Sequence, residues 1–215
     1  MRGLLEAGAA KVYAASRNPG DADMPGVVPV RLDVTQPARV AALAEELRDV
    51  QLLVNNAGIL EGGALLQEGS ADSLQRQFET NAVGPLRLVQ AFAPVLARNG
   101  GGVVLNVVSV LSWLTLPGTG AYSASKAAAW ALGNALRGEL KAQGTQLLAV
   151  HCALLDTDMS RGMQGDKLAP EALVAQCLTA LQEGQSELLA DATTRNVHAG
   201  LAAQSPVYLG LLAPM

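Results

Sequence analysis

The chain has 215 residues, 15 basic against 19 acidic, a formal net charge of -4 at pH 7, and half of its residues are apolar. That length admits one domain, residues 1–215, with a substantial core, and a pI near 5.2 leaves no electrostatic footprint for nucleic acid. No block of like charges recruits a membrane surface, no apolar run reaches spanning length and no leader pattern opens the chain, so a soluble, cytoplasmic protein is expected.

Short apolar runs alternate with helical patterns, which predicts an α/β fold of the doubly wound, parallel type. Residues 1–9 read as the end of a helix, stopped at Gly8, that leads into a strand at 11–16. Further strands are expected at 27–32, 51–55, 103–108, 146–152 and 187–190. Between them lie helices at 37–48, 70–97, 121–142 and 170–183, with a weaker helical signal over 192–201. Pro170 at a first helical position and Gly184 past the end frame the last strong helix. Cys152 and Cys177 are too few for a disulfide framework and read as small buried residues. His151 and His198 lack ligand spacing with the cysteines or acids, so no metal site is expected.

The chemistry concentrates in the second half of the chain. Tyr122 precedes Lys126 by four residues, which puts both on one face of a helix. The lysine charge is expected to pull the phenol pKa down from its reference near 10 and make it a usable general acid or base. Ser109 closes an apolar strand thirteen residues before the tyrosine and can hold the same substrate oxygen from another side, with Ser112 as a weaker substitute. Asn81 interrupts the 70–97 helical pattern, and Asn55-Asn56-Ala57-Gly58 follows the apolar run at 51–54. A Tyr-x-x-x-Lys pair alone is a weak signal; the agreement of several motifs is stronger.

In order and spacing, Asn55-Asn56-Ala57-Gly58, Asn81, Ser109, Tyr122 and Lys126 resemble the short-chain dehydrogenase/reductase family, along nearly the whole chain. The resemblance implies hydride transfer between a nicotinamide cofactor and a small carbonyl or alcohol substrate. Tyr122 would move the proton, Ser109 would polarise the carbonyl, and Lys126 would also hold the nicotinamide ribose. Asn81 would hold a water of the proton relay, Asn55, Ala57 and Gly58 would shape the cofactor floor, and Thr157 would contact the nicotinamide carboxamide. Asp33-Val34 resembles the pair that borders the adenine ring. After the strand at 11–16 stands Ser16-Arg17, with Asp21 and Asp23 displaced into a loop; an arginine suits the 2′-phosphate, so NADP(H) is expected over NAD(H). The family's helix contacts imply a homodimer or homotetramer through the helix at 121–142, whose Ala124, Ala127, Ala128, Ala131 and Ala135 admit close approach.

Two departures stand out. Cys152-Ala153 occupies the place of the family's Pro-Gly, which bears on the loop carrying Thr157. Trp113, Leu114 and Leu116 read either as an apolar substrate wall or as core, and the short segment from Met159 to Ala169 implies a small lid. The second departure lies at the front. Neither Gly3 nor Gly8 follows a strand, and no Gly-x-x-x-Gly-x-Gly loop occurs in the 215 residues. The corresponding strand would sit between those at 11–16 and 51–55, which are therefore expected either to pair directly or to expose unpaired edges. An internal methionine as the start is expected over a truncated form. The second possibility keeps open a non-catalytic relative acting as a binding or oligomerisation module, and weak activity is expected unless that front segment is restored.

Overall fold

The computed structural model describes residues 1–20 and 24–210; Asp21 and Asp23 lie outside the described residues. A short helix α1 (Arg2–Glu6) leads into β1 (Val12–Ser16) and β2 (Val27–Arg31), followed by α2 (Pro37–Glu46) and β3 (Leu52–Asn55). Then come α3 (Ser70–Phe78), a π-helical turn (Glu79–Val83), α4 (Gly84–Arg98) and β4 (Val103–Val107). The second half runs α5 (Gly120–Leu140), β5 (Gln146–His151), α6 (Pro170–Gln182), β6 (Glu187–Leu189), α7 (Ala192–Gly200) and α8 (Val207–Gly210). The expected elements are all present, with one division: the helical pattern over 70–97 is three pieces, and the break falls where Asn81 interrupts it.

All pairings are parallel, in two sheets: β1-β2, and β3-β4-β5-β6. Val104 and Leu147 turn to one face and Leu105 and Leu148 to the other, as the period-two pleat requires, and each face is covered by helices. The first face packs against α2, α4 and the end of α5 through Val40, Leu43, Val89, Phe92, Leu96 and Leu140. The second packs against α6 through Leu173, Cys177 and Ala180, so both cysteines are free, buried apolar residues, as read.

Of the two arrangements expected at the front, the structure takes the unpaired one. Among the described residues β1 bonds only to β2 and β3 only to β4, so β1 and β3 share no ladder. Val54 on β3 is 41% exposed. The two sheets are joined instead by packing: Val30 and Leu32 from the β2 side and Leu53 from β3 share one core with α2 and α4. Among the described residues no helix is long and apolar enough to cross a membrane.

Candidate active site

The carboxyl ends of β3, β4 and β5 meet the first half of α5 and the π-helical turn. Tyr122 and Lys126 lie one turn apart on α5, and both are buried. Lys126 Nζ donates to the Val107 carbonyl at 2.9 Å, at the end of β4, and stands 5.7 Å from the centre of the Tyr122 ring. Ser109 follows β4 directly, is buried, and caps the short 3-10 turn Val110–Ser112, its Oγ accepting from the Leu111 N–H at 3.1 Å. Ser112 is buried within that turn, and its hydroxyl has no partner.

Asn81 explains the π-helical turn. Its Oδ1 accepts from the Ile59 N–H at 2.8 Å, and its Nδ2 donates to the Ile59 carbonyl and to Ser125 Oγ, each at 2.9 Å. The widened turn carries this amide inward, a placement common at functional sites. Ser125 then donates to the Tyr122 carbonyl at 2.7 Å, so Asn81 braces both the loop after β3 and α5. Sequence reasoning missed Ser125 and Gln77. Gln77 is fully buried and grips the Glu61 backbone, accepting from its N–H and donating to its carbonyl at 3.1 Å each. The available signal for Ser125 was its position three residues past the tyrosine, on the same helical face.

Burial reverses one electrostatic expectation. Desolvation pushes the Tyr122 phenol up to about 12, the neighbouring Cys152 thiol adds to the rise, and the Ser109 hydroxyl pulls it partly back. Lys126 is not among the groups that lower it. The lysine is itself driven down from 10.5 to about 8 by burial, offset in part by Cys152. A closed site penalises both charges before their mutual attraction can act.

The cofactor candidates divide between surface and core. Asn55 is buried at the end of β3 and donates to Asn106 Oδ1 of β4 at 2.8 Å, while its own Oδ1 is buried without a partner. Asn106, a polar residue in an apolar strand, was legible as such but not singled out. Ala57 is exposed in the loop that follows. A Cβ built on Gly58 would stand 3.3 Å from Asn81 Oδ1 and 3.7 Å from Lys126 Nζ, so glycine keeps the space beside the lysine clear.

Arg17 is exposed past β1, near enough to help hold the Asp33 carboxyl below its ordinary range, although Thr35 hydrogen bonds at 2.9 and 2.8 Å dominate that shift. Val34 has its side chain buried in the core, which leaves its main chain as the part that could border an adenine. Thr157 is exposed at the start of the 3-10 turn Asp158–Ser160, its N–H donating to Ser160 Oγ at 3.4 Å. In the Cys152-Ala153 loop, the Ala153 N–H donates to Asp191 Oδ2 at 2.7 Å, which anchors the segment to the cap of α7. The segment expected to be a small lid is tied at its base by backbone bonds from Asp156 to Leu168 and from Leu168 to Leu154, with Met159 and Met163 exposed. Leu114 is core, Trp113 stacks on His151, and Leu116 is 42% exposed.

A parallel sheet covered by helices, with a Ser-Tyr-Lys cluster at the carboxyl ends of its strands, defines a Rossmann-like α/β protein. The chain belongs to the short chain dehydrogenase family, whose sequence profile matches residues 3–167. It is similar to dehydrogenase/reductase SDR family member 7B of Bos taurus, 32% identical over 212 residues, covering 94% of this chain and 64% of that protein. It is 40% identical over 143 residues to short-chain dehydrogenase PC-15 of Penicillium crustosum, covering 63% of this chain and 51% of that one. The chain thus spans half to two thirds of the length of these curated relatives. The fold is also similar to that of a short chain dehydrogenase from Burkholderia cenocepacia J2315 in complex with NADP. There the TM-score is 0.91 at 36% identity, over 99% of this chain and 92% of that one.

Proposed function

We propose that this chain interconverts a carbonyl and an alcohol with NADP(H), Tyr122 giving the proton in reduction and taking it in oxidation. The observation that carries the proposal is the buried Ser109, Tyr122 and Lys126 cluster, held in one frame by Asn81 and Ser125. The residues present fit a nicotinamide dinucleotide: Gly58 clears the approach to Lys126, and the Asn55 Oδ1 is a buried acceptor still seeking a donor. Arg17 would hold the 2′-phosphate, and Asp33 with the Val34 main chain the adenine side. Asn55, Ala57 and Gly58 would form the floor, with Lys126 at the nicotinamide ribose and Thr157 at the carboxamide. The bound nicotinamide supplies or accepts the hydride. The structurally similar Burkholderia protein binds NADP, which supports the same cofactor here.

The chain's own groups divide the remaining work. Ser109 Oγ orients the carbonyl oxygen. A phenol held at about 12 keeps its proton at neutral pH, so Tyr122 is set as the acid for reduction. Lys126, at about 8, is cationic at pH 7, and its charge is directed to the nicotinamide ribose. Asn81 spends its side chain on Ile59 and Ser125, so a relay water would rest on its main-chain carbonyl.

The test is NADPH oxidation at millimolar cofactor with a panel of ketones and aldehydes. Tyr122→Phe should abolish turnover and leave NADPH binding nearly intact; turnover surviving in the variant overturns the mechanism. A second reading, a binding or oligomerisation module, is favoured by the unpaired edges of β1 and β3. Titration separates the two: a module binds no NADPH at any concentration.

A further inference from the structure

We propose that His151 is a positioning residue, holding the Ser109 main chain so that the serine hydroxyl stays aimed at Tyr122. The proposal rests on the carbonyl-reducing reading above. His151 ends β5, beside the point where Ser109 leaves β4, and is fully buried. Its Nδ1 stands 3.2 Å from the Ser109 carbonyl oxygen. A carbonyl only accepts, so Nδ1 carries the proton and donates. The same oxygen also accepts from the Ser112 N–H at 3.0 Å, so the Ser109 peptide is pinned from two directions. Ser109 is extended, with φ -162 and ψ 158, and its Oγ is held by the Leu111 N–H of the same turn that the pinned carbonyl anchors.

The ring is held in turn. Trp113 stacks on it at 3.9 Å and 17°, and Trp130 meets it edge-on at 6.4 Å. With Nδ1 protonated, the lone pair of the neutral ring lies on Nε2, which has no hydrogen-bond partner and faces Glu187 Oε1 at 3.8 Å. Glu187 is occupied elsewhere, accepting from Trp130 Nε1 at 2.9 Å. The charged or titratable groups around the ring are thus Glu187 from β6 and His198 from α7, the latter reaching it across Trp113. Burial keeps the ring neutral, its pKa lowered to about 4 despite Glu187, so the clamp is set throughout the neutral range.

Two measurements test this. Long-range nitrogen–proton NMR should show His151 protonated on Nδ1 and bare on Nε2 at pH 7; the opposite tautomer overturns the clamp whether or not the protein turns over. In kinetics, His151→Asn keeps an N–H near the Nδ1 position, while His151→Leu removes it. His151→Leu should lower kcat roughly ten- to a hundred-fold with KM for NADPH unchanged, and His151→Asn should recover most of it. Equal kcat losses in both variants, or a loss confined to thermal stability, would reduce His151 to a core residue. A wild-type chain without turnover but with the Nδ1 proton in place would sink the proposed reaction and keep the clamp.

Discussion

Replacing Lys126 by Met should make the protein inactive and more stable. Methionine keeps the length and volume of the lysine stem and removes the ammonium. Burial lowers the Lys126 pKa from 10.5 to about 8. At about 1.36 kcal/mol per pH unit, folding with the charged lysine at pH 7 therefore costs about 3 kcal/mol. The variant gives up the 2.9 Å bond to the Val107 carbonyl, a loss of about 1–2 kcal/mol. The net expectation is a gain of about 1–2 kcal/mol at pH 7, or roughly 2–8 °C in Tm for a domain of this size. The sign with pH follows from the lowered folded-state pKa. Between about 8 and 10.5 the unfolded chain binds more protons than the native one, so wild-type stability rises with pH through that window. The advantage of Lys126→Met should therefore shrink from pH 7 to pH 10 in thermal melts. A variant less stable than the parent at pH 7, or an advantage independent of pH, would refute the argument.

The other predictions concern cofactor, sheet and assembly. NADPH should bind more tightly than NADH, and Arg17→Asp should narrow or reverse the gap by about 1.5–3 kcal/mol, roughly ten- to a hundred-fold; equal affinities in the parent and no change in the variant would leave Arg17 a surface charge. An N-terminal fusion supplying an apolar strand and a glycine-rich turn should occupy the space between the β1 and β3 edges and raise NADPH affinity about a thousand-fold; an unchanged Kd in titration would refute it. Light scattering at micromolar concentration should give a dimer or tetramer, since Ala124, Ala131 and Ala135 are exposed along α5; a 22.1 kDa particle would contradict this.

Most of the fold was legible because its signals are local. Val104 and Leu105, or Leu147 and Leu148, need only the pleat to send neighbours to opposite faces. Pro170 starts α6 with no help from tertiary contacts. The π-helical turn is different: Asn81 marked a break in the pattern, but what widens the helix is bonding to Ile59 and Ser125, 22 and 44 residues away along the chain. The burial of the Val34 side chain was likewise not legible, since a dipeptide after a strand does not say which side chain the core takes.

The site residues were legible as a set because their spacing on α5 and β4 fixes who meets whom. Their electrostatics were not, because spacing carries charge but not burial. Sequence places an ammonium one turn from a phenol and argues for a lowered tyrosine pKa. The structure closes α5 over the ends of β4 and β5, and desolvation then outweighs attraction for both groups. A phenol held at about 12 arrives at the carbonyl with its proton, as a weaker acid than the expected one near neutral. The burial that destabilises Lys126 is then the same burial that keeps Tyr122 loaded. Relieving it by Cys152→Ala, which removes the thiol that adds to the rise and leaves space near the phenol, should lower the Tyr122 pKa and shift the alcohol-oxidation pH profile to lower pH. A profile that stays in place would mean that the titration governing the rate belongs to another group.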